Sequence, residues 1–238
     1  MMDSKVRRAI IIPVILFSVF AAIRVLAGGA GETREPDAGN DTRVEGLRPS
    51  ERGGSLERGR VEVPEGYERA VFAGGCFWCM EPPYDSVDGV YAVTSGFSGG
   101  TVANPSYQAV IAGNTGHREV VEIVFDPSRV SYRQLLEIFW VNIDPLDGGG
   151  QFCDRGGPYL SAIFYMNPEQ EAEARASRAW AESRILTGGE FMTEVRAYEA
   201  FYPAEEYHQA YAFRNPVRYS FYRASCGRDV RLRTLWGS

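Results

Sequence analysis

The 238-residue chain is 45% hydrophobic and 24% charged, which fits one soluble globular domain with some chain left over and excludes a disordered polymer or a multi-span membrane protein. Its formal charge of −6 leaves no basic surface for tracking phosphates, so nucleic acid is not an expected partner. Lys5 is the only lysine, which removes Schiff-base chemistry from the body of the protein.

A basic start (Lys5, Arg7, Arg8) precedes an uncharged run from Ala9 to Ile23. Its 15 residues fall short of the ~20 that a spanning helix needs, and with the small residues after Leu26 they have the parts of a secretory signal. Residues 1–28 are therefore expected to be a signal peptide, or an uncleaved membrane anchor, that takes the protein to the cell envelope or periplasm. Residues 29–60 hold almost no large apolar side chain and read as a disordered tether. Folding material runs from 61 to 238, enough for one core, and a monomer is expected.

Within it, Glu68–Gly74 reads as a strand and Cys76–Asp85 as a short helix, in which Pro82 and Pro83 fit only the first turns or a break. Tyr91–Phe97 and Glu119–Phe125 read as strands closed by Gly and Pro turns. Ser131 caps a helix with Leu135, Leu136, Phe139, Trp140 and Ile143 on one face. Ser161–Tyr165 is a fourth strand, and Asn167-Pro168 opens a helix to about Leu186. This order predicts an α+β fold: a two-layer ferredoxin-like plait, with helices packed on a mixed β-sheet and an irregular C-terminal extension.

The four cysteines, Cys76, Cys79, Cys153 and Cys226, are too few for a disulfide scaffold and read as chemistry. Cys76 falls where a strand hands over to a helix N-terminus, where free amides and the helix dipole favour a thiolate. Gly74 and Gly75 leave room for a bulky group, and Phe77 and Trp78 could wall an apolar pocket or pack in the core.

The chain resembles the type A peptide methionine sulfoxide reductases. The resemblance runs from Ala70 to about Asn215. It rests on Gly75-Cys76-Phe77-Trp78, Ser95-Gly96-Phe97-Ser98-Gly99-Gly100, Asn104-Pro105-Ser106-Tyr107, Gly116-His117-Arg118-Glu119, Gln151-Phe152-Cys153-Asp154-Arg155-Gly156, Tyr159, Ser161-Ala162-Ile163-Phe164-Tyr165 and Ala204-Glu205-Glu206-Tyr207-His208-Gln209. It implies an oxidoreductase that repairs oxidised proteins by reducing the S epimer of methionine sulfoxide, free or in proteins, with no bound cofactor or metal. Cys76 carries over as nucleophile, Glu119 as proton donor, Tyr107 and Tyr159 as hydroxyl donors to the sulfoxide oxygen, Asp154 as an orienting group, and Phe77 and Trp78 as walls for the methyl on sulfur.

By its position alone Glu119 reads as a solvated carboxylate at the start of a strand. The sulfenic acid left on Cys76 condenses with a second thiol. The family commonly uses a tail cysteine, so Cys226, with a glycine after it suited to a mobile arm, ranks first, and Cys153 and Cys79 follow. A thioredoxin-like protein is the implied external reductant. Phe97 and Leu160 depart from the family's usual tyrosine and arginine. His117 and His208 are expected to be structural. Two alternatives are a thiol–disulfide oxidoreductase using Cys76 and Cys79, and a module that binds metal through the four cysteines.

Overall fold

The computed structural model of the chain describes residues 61–237. The signal or anchor expected at 1–28 and the tether expected at 29–60 lie outside the described residues. In chain order the elements are β1 (Glu68–Ala73), α1 (Phe77–Asp85), β2 (Val90–Ser98), α2 (Tyr107–Ile111), β3 (Arg118–Phe125) and α3 (Tyr132–Val141). A short ribbon follows, β4 (Gly150–Gln151) with β5 (Asp154–Arg155), then β6 (Ala162–Tyr165), α4 (Pro168–Glu182), β7 (Glu194–Ala197), β8 (Phe201–Pro203), α5 (Tyr211–Arg214), α6 (Pro216–Ser225) and α7 (Arg228–Trp236). Six strands form one sheet in the order β7-β6-β1-β3-β2-β8. All neighbours are antiparallel except β6 and β7, which makes the sheet mixed and the fold α+β, as the sequence predicts.

Both faces of the sheet are covered, so its central strands lack a polar side. Side chains alternate along β1: Ala70 and Phe72 join a core with Tyr84, Leu135, Phe139 and Trp140, whereas Val71 and Ala73 join Val120, Ala162 and Phe164 in a second cluster. The helices that close the main core start at strong caps. Ser131 accepts a hydrogen bond from the Gln134 amide while the Gln134 side chain returns to the Ser131 amide, and Asn167 caps α4 with Pro168 in its first turn. Trp140 on α3 donates to Ser177 of α4 at 2.8 Å, which joins the two helices inside the core.

Pro82 and Pro83 are the sixth and seventh residues of α1, with no break in the helix. Their missing amides leave the Trp78 and Cys79 carbonyls without an i+4 backbone donor. Two expectations are corrected. Helix α4 stops at Glu182, short of Leu186, whose amide donates to the Leu235 carbonyl of α7 at 2.8 Å. The extension is not irregular: α5, α6 and α7 fill it.

The turn between α6 and α7 uses Gly227 at φ +72°, a left-handed conformation that glycine reaches without strain. Arg228 then enters the core, 1% exposed, donating from one nitrogen to the carbonyls of Gly74 (3.1 Å) and Asn142 (2.6 Å) and lying over the Phe152 ring. These contacts fix the C-terminal helices beside the β1–α1 junction.

Candidate active site

Cys76 is the N-cap of α1, directly after β1, and is 6% exposed. Gly75 precedes it at φ +79°, and a Cβ there would lie 2.5 Å from Gln151 Cβ. A Cβ on Gly74 would lie 2.5 Å from the Met80 sulfur. The two glycines therefore let Gln151 and Met80 close against the turn; they do not leave space for a substrate, as the sequence suggested.

Glu119 is the second residue of β3, opposite Phe97, and is 1% exposed. The solvated carboxylate that its position alone suggested is overturned by this burial. Its Oε2 accepts the Phe77 amide at 3.0 Å, and burial raises its pKa to about 8. Glu119 is thus a neutral acid at pH 7. The Arg118 guanidinium holds this end of β3 in register, donating to the Ser161 carbonyl at 2.9 Å and pairing with Glu194 at 2.9 Å.

The same bond changes what the helix start does for Cys76. The Phe77 amide is committed to Glu119 and is not aimed at the sulfur. Burial first, then the hydrogen bond with Cys79 and the Glu119 charge, push the Cys76 thiol up, against a smaller opposite pull from the Tyr222 hydroxyl. The resting group is a thiol and not the thiolate that the helix terminus alone would favour. Cys79, three residues on and also buried, is drawn down to about 6, chiefly by its hydrogen bond with Cys76 and also by Arg228 and Arg223.

Tyr107 begins α2, where its amide donates to Glu205 Oε1 at 2.9 Å. Its hydroxyl hydrogen-bonds that of Tyr159, and burial pushes it up to about 12. Tyr159 ends the turn after β5 and is raised as well. Both are protonated donors, and ionisation of Glu119 would raise both further. Asp154 on β5 accepts the Tyr222 hydroxyl at 2.6 Å. Trp78 stacks on Tyr211 with ring centroids 3.7 Å apart and donates to His208 Nδ1 at 3.1 Å. It lines an open cleft of about 500 Å³ with Tyr107, His208, Phe221 and Tyr222. Phe77 is 1% exposed and packs on Phe97, Tyr107 and His208, so it supports the site from the core and is not a wall of the cleft.

Cys153 and Cys226 form a disulfide. This corrects one expectation: Cys226 ends α6 and is not on a mobile arm. In this state its sulfur is held by Cys153 and is not free to attack Cys76. The free thiol in hydrogen-bond contact with Cys76 is Cys79. The disulfide also takes two of the four thiolates that the metal-binding alternative needs.

His117 is structural: its Nδ1 accepts the Gly100 amide at 3.1 Å and its Nε2 meets the Val102 carbonyl at 2.7 Å. His208, lowered to about 4 by burial, is neutral and orients Trp78. Phe97 is fully buried against Phe77, and Leu160 is half-buried after Tyr159. Sequence reasoning missed Tyr211, Tyr222 and Arg228. Tyr222 alone carried a signal, one helical turn ahead of Cys226.

The sequence pattern of the family described as peptide methionine sulfoxide reductase matches residues 68–238. A protein of Rhizobium meliloti named peptide methionine sulfoxide reductase MsrA 2 is 48% identical over 168 residues, 71% of this chain and 83% of that protein. Peptide methionine sulfoxide reductase MsrA of Bacillus subtilis is 47% identical over 177 residues, 74% of this chain and 99% of that protein. Among solved structures, methionine sulfoxide reductase A of Corynebacterium diphtheriae aligns with a TM-score of 0.60 at 32% identity, over 68% of this chain and 81% of that one. The reduced form of Mxr1 from Saccharomyces cerevisiae aligns with a TM-score of 0.62 at 27% identity, over 66% of this chain and 90% of that one.

Proposed function

The chain belongs to the peptide methionine sulfoxide reductase family, and we propose that it reduces the S epimer of methionine sulfoxide, free or in proteins, by attack of Cys76 with Glu119 as proton donor. The observation that carries this reading is the buried neutral carboxyl of Glu119 held by the Phe77 amide, one residue from the nucleophile. In the first step the Cys76 sulfur bonds to the sulfoxide sulfur while Glu119 gives its proton to the departing oxygen. The protonated oxygen then moves from the substrate sulfur to Cys76 as the bond between the two sulfurs breaks, leaving a thioether and a Cys76 sulfenic acid, so the substrate sulfur is reduced by two electrons and Cys76 is oxidised by two. Tyr107 and Tyr159, both protonated, supply hydrogen bonds to that oxygen, and Trp78 supplies the apolar wall.

For the second step we propose Cys79 as the resolving thiol. Its sulfur attacks the sulfenic sulfur, water leaves, and a Cys76–Cys79 disulfide forms. When Cys153 and Cys226 are thiols, exchange regenerates the Cys76 and Cys79 thiols and leaves the outer disulfide. Cys153 is exposed, which suits reduction from outside by a thioredoxin-like protein. No resident cofactor enters these steps. The four central strands in the order β6-β1-β3-β2, with α1 and α3 on one face, support reading this core as the ferredoxin-like plait.

Counting equivalents tests this scheme. Fully reduced protein, freed of reductant, is expected to reduce two equivalents of sulfoxide per chain, one for each cysteine pair. A Cys153→Ser/Cys226→Ser protein is expected to reduce one. If Cys79→Ser still runs to a Cys76–Cys226 disulfide at the wild-type rate, Cys226 is the resolving thiol and Cys79 is not.

A further inference from the structure

Helix α6 lends one of its faces to the cleft. Arg218, Phe221, Tyr222 and Ser225 are spaced three and four residues apart, so they form a stripe along the helix, and all four line the cleft that Trp78 walls. Its volume of about 500 Å³ suits a drug-sized molecule and exceeds what one methionine side chain fills. Trp78 and Tyr107 serve the sulfoxide, whereas Arg218 and Phe221 have no part in either chemical step.

Two features of this stripe point to the chain around the oxidised residue. Phe221 is 77% exposed, and Tyr207, also exposed, lines the same cleft. Aromatic surface left in water at the rim of a cleft is stabilised when an apolar side chain covers it. Arg218 is exposed, and among the described residues no carboxylate pairs with it. The guanidiniums on either side along the chain are neutralised, Arg214 by Glu206 at 2.7 Å and Arg223 by Asp229 at 2.6 Å. Glu205, on the segment that carries Tyr207 and His208, is turned to the Tyr107 amide at 2.9 Å. Arg218 is thus an uncompensated positive charge among aromatic rings, a combination that fits a substrate carboxylate.

The stripe is held in place before any ligand arrives. Tyr222 donates to Asp154 at 2.6 Å, its ring meets Trp78 edge-on with centroids 5.9 Å apart, and the Cys153–Cys226 disulfide ties the end of α6 to the ribbon. Little ordering of the helix therefore opposes binding.

We propose that this face of α6 is a recognition surface for protein-bound methionine sulfoxide, with Arg218 taking an acidic residue of the oxidised segment and Phe221 an apolar one. The assignment rests on reading the cleft as the substrate site. Its preferred substrates are segments in which the oxidised methionine has both kinds of neighbour.

Short peptides with the S sulfoxide at the centre test it, flanked on both sides by Glu or Lys for the charge and by Leu or Ser for the apolar contact. Each protein is read as the ratio of kcat/KM between two peptides, so a general loss of activity or of folded material cancels. At low ionic strength the wild type is expected to favour the Glu peptide over the Lys peptide by roughly fivefold, and high salt is expected to shrink that preference. Arg218→Gln is expected to bring the ratio close to one, and Arg218→Glu to invert it. Phe221→Ala is expected to lower the preference for Leu over Ser by roughly threefold. A wild-type Glu-to-Lys ratio of one, or a preference that survives Arg218→Glu, overturns the role of Arg218. An unchanged Leu-to-Ser ratio in Phe221→Ala overturns that of Phe221. Fluorescence anisotropy of the same peptides, labelled and mixed with Cys76→Ser protein, reads binding without turnover. Affinities that follow these ratios while the wild type reduces no sulfoxide overturn the proposed function and leave the recognition surface standing.

Discussion

Cys76→Ser is expected to reduce the yield of methionine in a single turnover to background, while the protein still folds. The substitution removes the one atom that can form the bond to the substrate sulfur and then carry the oxygen away. Serine has almost the same size, so the N-cap of α1 and the packing of Gly74 and Gly75 against Met80 and Gln151 should survive. Its hydroxyl ionises far less readily than a thiol, and no neighbour of Cys76 is placed to overcome that gap. Cys79 remains free and buried, but it lies one turn inside the helix and not at its N-cap. Measurement of product peptide by mass spectrometry, with a thermal unfolding curve for the folded fraction, checks both halves. Reduction by Cys76→Ser at more than a trace of the wild-type rate would move the nucleophile to another cysteine.

The second large effect is expected from Glu119→Gln. Glutamine keeps the shape and can still accept the Phe77 amide through its carbonyl oxygen, but it has no proton to give. Loss of a positioned proton donor costs roughly 10²–10⁴-fold in rate. The effect has a signed pH dependence. Burial raises Glu119 to about 8, so the acid is protonated and competent below that pH and is lost above it. The ratio of the wild-type rate to the Glu119→Gln rate is therefore expected to be largest below pH 8 and to shrink as pH rises through it. Above pH 8 the Glu119 charge also holds the wild-type Cys76 thiol up while the variant lacks that charge, which shrinks the ratio in the same direction. A ratio that is flat from pH 6 to 9 would contradict the assignment of Glu119 as the donor.

The sequence made the central strands and the caps of α3 and α4 legible because each rests on a local rule: a short apolar run closed by Gly and Pro, a Ser cap, an Asn-Pro start. The C-terminal helices were not legible. Helix α6 buries no side chain fully, and α7 is anchored by Arg228, a residue type that periodicity counts as surface. The site divides in the same way. Cys76 announces itself by its place between a glycine turn and a helix, but Glu119 resembles any carboxylate at the start of a strand. It becomes an acid donor only through burial and the Phe77 amide 42 positions away in sequence. The Tyr222–Asp154 bond and the Cys153–Cys226 bond span 68 and 73 positions, so neither could be read from spacing alone. Trp78 is the case where family likeness and geometry agree, and Phe77 the case where core packing prevails.

The most direct test of the central claim is a single-turnover reaction of reduced protein with peptides carrying each separate epimer of methionine sulfoxide, with no external thiol present. The account predicts that the S-epimer peptide loses one oxygen, that Cys76 ends in a disulfide, and that the R-epimer peptide is unchanged. Loss of oxygen from neither epimer, by a protein whose Cys76 is fully reduced at the start, would contradict it.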